Sequence, residues 1–332
     1  MNTNNLFYCL LGISGLLLLS CQSEETASDD AAKIAYRPTF EAAVEPVMDA
    51  DTKVYVDENL KILWHADDRV GLFDHYTYNQ QYCFQGETGA NAGTFSIVPN
   101  GDVVVGNELP AVYAVYPYDE GTAISNDGVL SLSLPAVQSY SERSFGPGAN
   151  TMVSVTEDKY LLFKNLGGYL EIKLYGEDVT VSKIVLKGNN DEKIAGKATV
   201  TAPLGDVPIV EMTDEATTEV SLECATPVVL GTTVDDYTEF WFVLPPTEFS
   251  QGFTITVYDD KGGHFEQSTE KPVSISRNNL SRMSPVEAQM TGPTISPNKY
   301  LTFASEGTTT ISLKNTTYSP VLYYSKDGIA VH

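Results

Sequence analysis

The chain has 332 residues, 42% of them hydrophobic and 10% aromatic, with 44 acidic residues against 20 basic ones and a net charge of −24. That balance argues against a nucleic-acid binder, which needs basic patches to meet phosphate. It argues equally against docking on anionic lipid through protein charge, and in an exposed protein it serves solubility and mutual repulsion.

Residues 1–20 contain no Asp, Glu, Lys or Arg, and Leu6 to Leu19 are mostly apolar. A bilayer-spanning helix needs ~20 apolar residues, so this run fits the apolar core of a secretory signal better. Positive charge at its start comes from the terminal amine alone. The run ends in Leu18-Leu19-Ser20-Cys21, which resembles the lipobox of bacterial lipoproteins. That resemblance implies a signal peptide over 1–20, cleavage before Cys21, and contact with the membrane through a lipid on the Cys21 thiol. Gln22-Ser23-Glu24-Glu25 and Asp29-Asp30 follow without aromatic residues, a composition that cannot bury enough surface to offset ordering entropy. Residues 21–37 are expected to be a flexible acidic tether. They resemble the acidic export signal of some lipoproteins of anaerobic Gram-negative bacteria, so the expected location is the outer membrane, lipid-anchored and exposed at the cell surface.

From residue 38 onward nearly every segment reads as strand and turn. Arg69-Val70-Gly71-Leu72-Phe73 and Ala111-Val112-Tyr113-Ala114-Val115-Tyr116 are short apolar strands, and Leu130-Ser131-Leu132-Ser133-Leu134 alternates strictly until Pro135. Gln138 to Gly148 reads as a Gly/Pro/Ser-rich loop, which puts a domain boundary near Tyr160. Tyr169 to Leu174 and Val181 to Leu186 restart the alternation. Glu239-Phe240-Trp241-Phe242-Val243-Leu244 is apolar on both faces, as a strand in the middle of a sandwich should be. Phe253 to Tyr258 turns through Asp259-Asp260-Lys261-Gly262-Gly263 into His264-Phe265, a hairpin pattern. No helical periodicity lasts three turns and no repeat of fixed period recurs. Short strands with frequent turns predict an all-β chain of sandwiches, and the length of the mature body predicts two domains, 38–159 and 160–290.

Catalytic signals are nearly absent. The four His residues, at 65, 75, 264 and 332, lack the spacing of a zinc helix, and there is no P-loop, dinucleotide fingerprint or nucleophile elbow. His65-Ala66-Asp67-Asp68 and Asp74-His75 read as polar turns rather than metal ligands. Asn126-Asp127-Gly128 and Asp259-Asp260 read as hairpin turns, since neither fits the EF-hand calcium loop. No cofactor, metal or catalytic residue is expected, and the chain is not expected to be an enzyme. With Cys9 removed and Cys21 acylated, Cys83 and Cys224 remain; lying in different expected domains, they read as buried free thiols rather than a disulfide.

Lys53, then Trp64 and the acidic turn Asp67-Asp68-Arg69 into Val70-Gly71-Leu72-Phe73, resembles the fimbrillin family, the subunits of type V pili. Tyr113-Ala114-Val115-Tyr116-Pro117-Tyr118 matches the aromatic strand end of that family. Phe163 to Leu174 is similar to the strand pair that opens its second domain, and Ile194-Ala195-Gly196 and Asn279-Leu280 fall in order behind. The similarity spans roughly residues 38–290. It implies two consecutive transthyretin-like antiparallel β-sandwich domains, followed by a C-terminal strand-forming extension over 291–332. It also implies a structural or accessory subunit of a surface fimbria, serving adhesion, whose partners are neighbouring subunits joined by strand exchange and a host or bacterial surface ligand. A surface protease would remove the segment through the first strand; Arg37, Lys53 and Arg69 are the candidate processing sites, although Pro38 after Arg37 hinders trypsin-like cleavage. A donor strand would then fill the groove. Leu301 with Phe303, and Ile311 with Leu313, have the period-two spacing such a groove needs, and the tail continues through Val321-Leu322-Tyr323-Tyr324. The alternative is a monomeric surface lipoprotein that binds glycan or host protein through sandwich loops, with Tyr76, Tyr78 or Tyr140 as candidate stacking surfaces.

Overall fold

The computed structural model describes residues 38–49, 62–98, 106, 108–291, 294–296 and 312–314, and every regular element among them is a β-strand. In chain order the first are β1 (Phe40–Val44), β2 (Met48–Asp49), β3 (Arg69–Phe73), β4 (Gln80–Phe84), β5 (Ala92–Ile97) and β6 (Val112–Tyr116). Next come β7 (Ala123–Ile124), β8 (Val129–Leu134), β9 (Val137–Ser141), β10 (Ser144–Phe145), β11 (Met152–Thr156) and β12 (Tyr160–Asn165). β13 (Gly168–Tyr175), β14 (Thr180–Gly188), β15 (Gly196–Thr201), β16 (Ile209–Met212), β17 (Glu219–Val229) and β18 (Thr238–Leu244) follow. Beyond them lie β19 (Thr247–Phe249), β20 (Phe253–Asp259), β21 (His264–Ser268), β22 (Val273–Ile275), β23 (Asn279–Arg282), β24 (Val286–Glu287), β25 (Thr294–Ser296) and β26 (Ser312–Lys314).

A closed, barrel-like sheet runs in the order β1-β12-β11-β6-β3-β4-β5, with β5 returning to β1. Closure leaves no edge strand in this sheet. Its interior is aromatic: the Trp64 ring lies 5.1–5.8 Å from the rings of Phe84, Phe95, Tyr116 and Phe163. Outside it, a four-stranded sheet β16-β15-β8-β7 covers one flank. Strict alternation in β8 turns Leu130, Leu132 and Leu134 inward against Val115 and Val153, while Ser131 and Ser133 face water. A one-sided sheet gives that pattern.

Later strands, joined by β2, β9 and β10, form two sheets packed face to face, β10-β9-β17-β14-β20-β21 and β18-β13-β23-β2. Leu170, Leu174, Phe240 and Phe242 from one meet Ile184 and Val257 from the other. The hairpin between β20 and β21 turns where its Asp-Gly residues predict: Asp259 Oδ1 accepts the amides of Lys261 and Gly263, and Gly262 takes a positive φ of 86°.

Strand pairing crosses residues 159/160 repeatedly. β12 opens the expected second domain yet pairs with β1 and β11 in the closed sheet. The stretch read as a loop contains β9 and β10, and β9 pairs with β17 of the later sheet. β2 pairs with β23, and β15 with β8. β18 is also placed differently from the expectation, since it pairs with β13 alone and lies at a sheet edge. Its second apolar face is buried because Trp241 and Val243, beside Tyr169 of the paired strand β13, pack with Val47 and Ala149 from the earlier part of the chain. Cys83 and Cys224 are free and half-buried rather than buried. Cys83 occupies a position of β4 where the alternation turns it away from the core, between buried Tyr82 and Phe84.

Candidate functional site

The site that the fold singles out is the slot occupied by β1. Phe40 and Ala42 point into the barrel and are each 1% exposed, while Glu41 between them faces water. β1 is antiparallel to β5, pairing Phe40 with Phe95 and Ala42 with Gly93. On its other side it runs parallel to β12, pairing Ala42 with Leu161 and Val44 with Phe163. Glycine at 93 follows from this crowding, because a Cβ there would lie 2.5 Å from the Phe84 ring. The Phe40 ring meets Tyr82 edge-on at 5.6 Å.

Past β1 the chain is held by a polar latch. Glu45 forms an ion pair with Arg277, with both side chains largely buried. Glu45 Oε1 also accepts the Asn165 amide at 2.6 Å, and Arg277 Nη1 donates to the Asn165 carbonyl at 2.9 Å. Asn165 Nδ2 donates to Asn278 Oδ1 at 2.6 Å, while Asn278 Nδ2 donates to the Pro46 carbonyl at 2.8 Å. Asn150 Nδ2 donates to Asn165 Oδ1 at 2.7 Å and Oδ1 of Asn150 accepts the Tyr169 hydroxyl. Burial, reinforced by the Glu45 charge, pushes the Tyr169 phenol well above its ordinary range. Val47 then enters the core beside Trp241 and Leu280, and β2 continues along β23. One short segment, residues 40–49, thus completes both the closed sheet and an edge of the later sandwich.

Only part of the expected site lies in view. Cys21, Arg37, Lys53, Leu301, Phe303 and Ile311 lie outside the described residues, and Leu313 is in β26, paired with Ile295 of β25. Arg69 opens β3, which lies between β4 and β6; its exposed side chain donates to Gln81 and its carbonyl accepts the Tyr118 amide. Asp68 closes the turn before β3, accepting the His65 amide at 2.7 Å and the Tyr116 hydroxyl at 3.1 Å. Asp74 accepts the amides of Tyr76 and Thr77 in a tight turn. Both acids serve backbone geometry, and among the described residues no group of three or more His, Cys, Asp or Glu is placed to hold a metal. Tyr78 meets Phe73 edge-on at 5.1 Å and Tyr140 lies 5.2 Å from Phe240, and both tyrosines are half-buried. Glu45, Asn165, Arg277 and Asn278 went unread in the sequence, because a latch assembled across 232 positions has no local signature.

No protein-family model matches the chain, and no curated protein does. Among solved structures it is similar to a candidate cell adhesion protein from Bacteroides ovatus, with 12% identity and a TM-score of 0.45 over 77% of this chain and 96% of that one. A candidate cell adhesion protein from Bacteroides uniformis shares 17% identity at a TM-score of 0.42, over 76% and 93%. The tip fimbrial protein Mfa3 from Porphyromonas gingivalis, with C-terminal truncation, shares 8% identity at a TM-score of 0.27, over 74% and 94%. At TM-scores below 0.5 these likenesses carry no functional assignment.

Proposed function

We propose that the chain is a structural or accessory subunit of a cell-surface fimbria, exported as a lipoprotein through Cys21, held at the outer membrane and assembled by β-strand donation in the service of adhesion. The observation that supports this reading is the position of β1. It is the first described strand and is inserted between β5 and β12, so its loss would bare two strand edges and the space left by Phe40 and Ala42. Unpaired backbone and uncovered apolar surface are what an added strand repairs. In this reading the chain comprises two transthyretin-like sandwich units, 38–159 and 160–290, that lend strands to each other. The tail from residue 291 supplies the donor.

Chain position separates the candidate cuts. Cleavage after Arg37 would leave β1 in the chain, cleavage after Lys53 would detach β1 and β2 together, and cleavage after Arg69 would divide β3 and take Trp64 with it. Lys53 is therefore the favoured site. The test is to treat the mature, lipid-free chain with trypsin-like proteases, sequence the new terminus and follow the product by negative-stain microscopy. A cut between residues 49 and 62 followed by filaments is the expected result. A chain so cut that stays monomeric removes the pilus reading and leaves the monomeric surface lipoprotein.

A further inference from the structure

Segment 40–49 presents a four-point pattern to its surroundings. Phe40 and Ala42 face the barrel core, Glu45 meets Arg277, and Val47 enters the second core at 3% exposure. Counted from the first apolar position, the pattern is apolar at 0 and +2, acid at +5 and apolar at +7. Any strand that replaced β1 in the same direction would meet the same four surroundings. Of these, the Arg277 guanidinium is the most selective, because a largely buried cation left without its carboxylate is costly whereas apolar contacts tolerate exchange.

Beyond residue 291 the sequence holds two acids, Glu306 and Asp327. Around Glu306 the pattern reads Leu301, Phe303, Glu306, Thr308, so the fourth point is polar. Starting from Ile311 and Leu313 it meets Thr316 at +5, with no acid at all. Around Asp327 it reads Leu322, Tyr324, Asp327, Ile329, and all four points agree. Tyr324 is larger than Ala42 and Leu322 smaller than Phe40, so side-chain bulk shifts by one inward position along the strand. Aspartate is one methylene shorter than glutamate, a gap the long Arg277 side chain can close.

We propose that Arg277 reads an acidic residue in the strand that fills the β1 slot, and that this strand is Leu322–Ile329 of a second copy of the chain, with Asp327 in the place of Glu45. The proposal rests on strand donation as proposed above and adds its register and selectivity. Glu45 and Asp327 then compete for one guanidinium. The intact first segment keeps the slot closed to other copies until it is cut away.

The experiment uses the full mature chain with a site-specific protease sequence inserted after Lys53, so that cutting is controlled. Donor variants D327N and E306Q change no residue of the β1 slot. D327N should assemble about tenfold more slowly than the parent, the scale of losing one charge-assisted partner at an interface, and E306Q should stay within about twofold. Register is read separately by disulfide trapping in a chain with Cys83 and Cys224 replaced by Ser. Ala43 lies opposite Ala92 across the β1–β5 pair, so A92C with S325C should cross-link neighbouring copies and A92C with A304C should not. Equal assembly of D327N and parent, or trapping through residue 304 instead of 325, overturns the register while strand donation stands. Failure of the cut parent to assemble at all overturns the strand-donation reading, and the register falls with it.

Discussion

Glu171 shows what a single residue contributes when its charge is carried into the sheet. It is buried in β13, 3.3 Å from Lys173 Nζ and 3.0 Å from Arg282 Nε. Burial holds its carboxyl above the ordinary value of 4.5, against the downward pull of Lys173 and Arg282. A carboxyl raised in the folded state binds its proton more tightly there than in the unfolded chain. Its contribution therefore increases as pH falls through the raised value, is complete below 4.5, and is lost again as pH rises. Glu171→Gln removes this proton uptake. Urea titrations at steps between pH 7 and 4.5 should show the stability difference between parent and variant changing in the parent's favour as pH drops. A difference that moves in the variant's favour as pH drops would mean that the cations, not burial, set this group, and one independent of pH would mean that the two effects cancel.

At the scale of elements, edges decide behaviour. β18 has a free side, and Gln138 from β9 covers part of it with a side-chain amide. Gln138 Nε2 donates to the Val243 carbonyl at 2.7 Å and Oε1 accepts the Val243 amide at 3.0 Å, as a neighbouring strand would. Gln138 is 3% exposed, so no water would replace those bonds. Gln138→Leu keeps the volume but orphans two buried backbone groups, at a cost of about 2–4 kcal/mol. Chemical denaturation should record that loss, and hydrogen exchange should accelerate at the Val243 amide while the amides of β14, in the centre of its sheet, stay protected. β1 presents the complementary case, because it has no free side and two partners depend on it. A strand so placed is structurally required, because its removal would leave both neighbours unpaired on one side.

For the whole molecule the governing quantity is net charge, −24 over the full sequence and −19 once residues up to Lys53 are removed. Two copies of such a chain repel before any local pairing acts, and that repulsion is screened over a Debye length of about 30 Å at 0.01 M salt and about 10 Å at 0.1 M. Assembly of the cut chain is expected to speed up with added sodium chloride, by about tenfold across that range, as light scattering would follow. A rate that falls with salt would show instead that local pairs such as that at Arg277 outweigh the global field.

Periodicity determined by itself that the chain folds into strands. Alternation in Leu130–Leu134 fixed which side chains turn inward, and the Asp-Gly turn at 259–263 fixed a hairpin, because both effects act between residues a few positions apart. The acidic composition likewise fixed the net charge of −24. Sheet membership was decided elsewhere. The short apolar run Leu161-Leu162-Phe163 within β12 is the same whichever sheet receives it, and Glu239–Leu244 reads as two-faced whether its second face meets another strand or another part of the molecule. Those choices depend on pairings between residues far apart in the chain, and so does the meeting of Glu45 with Arg277. Backbone hydrogen bonding is the same for every strand, so only the packing of the whole chain could say which strand β1 completes.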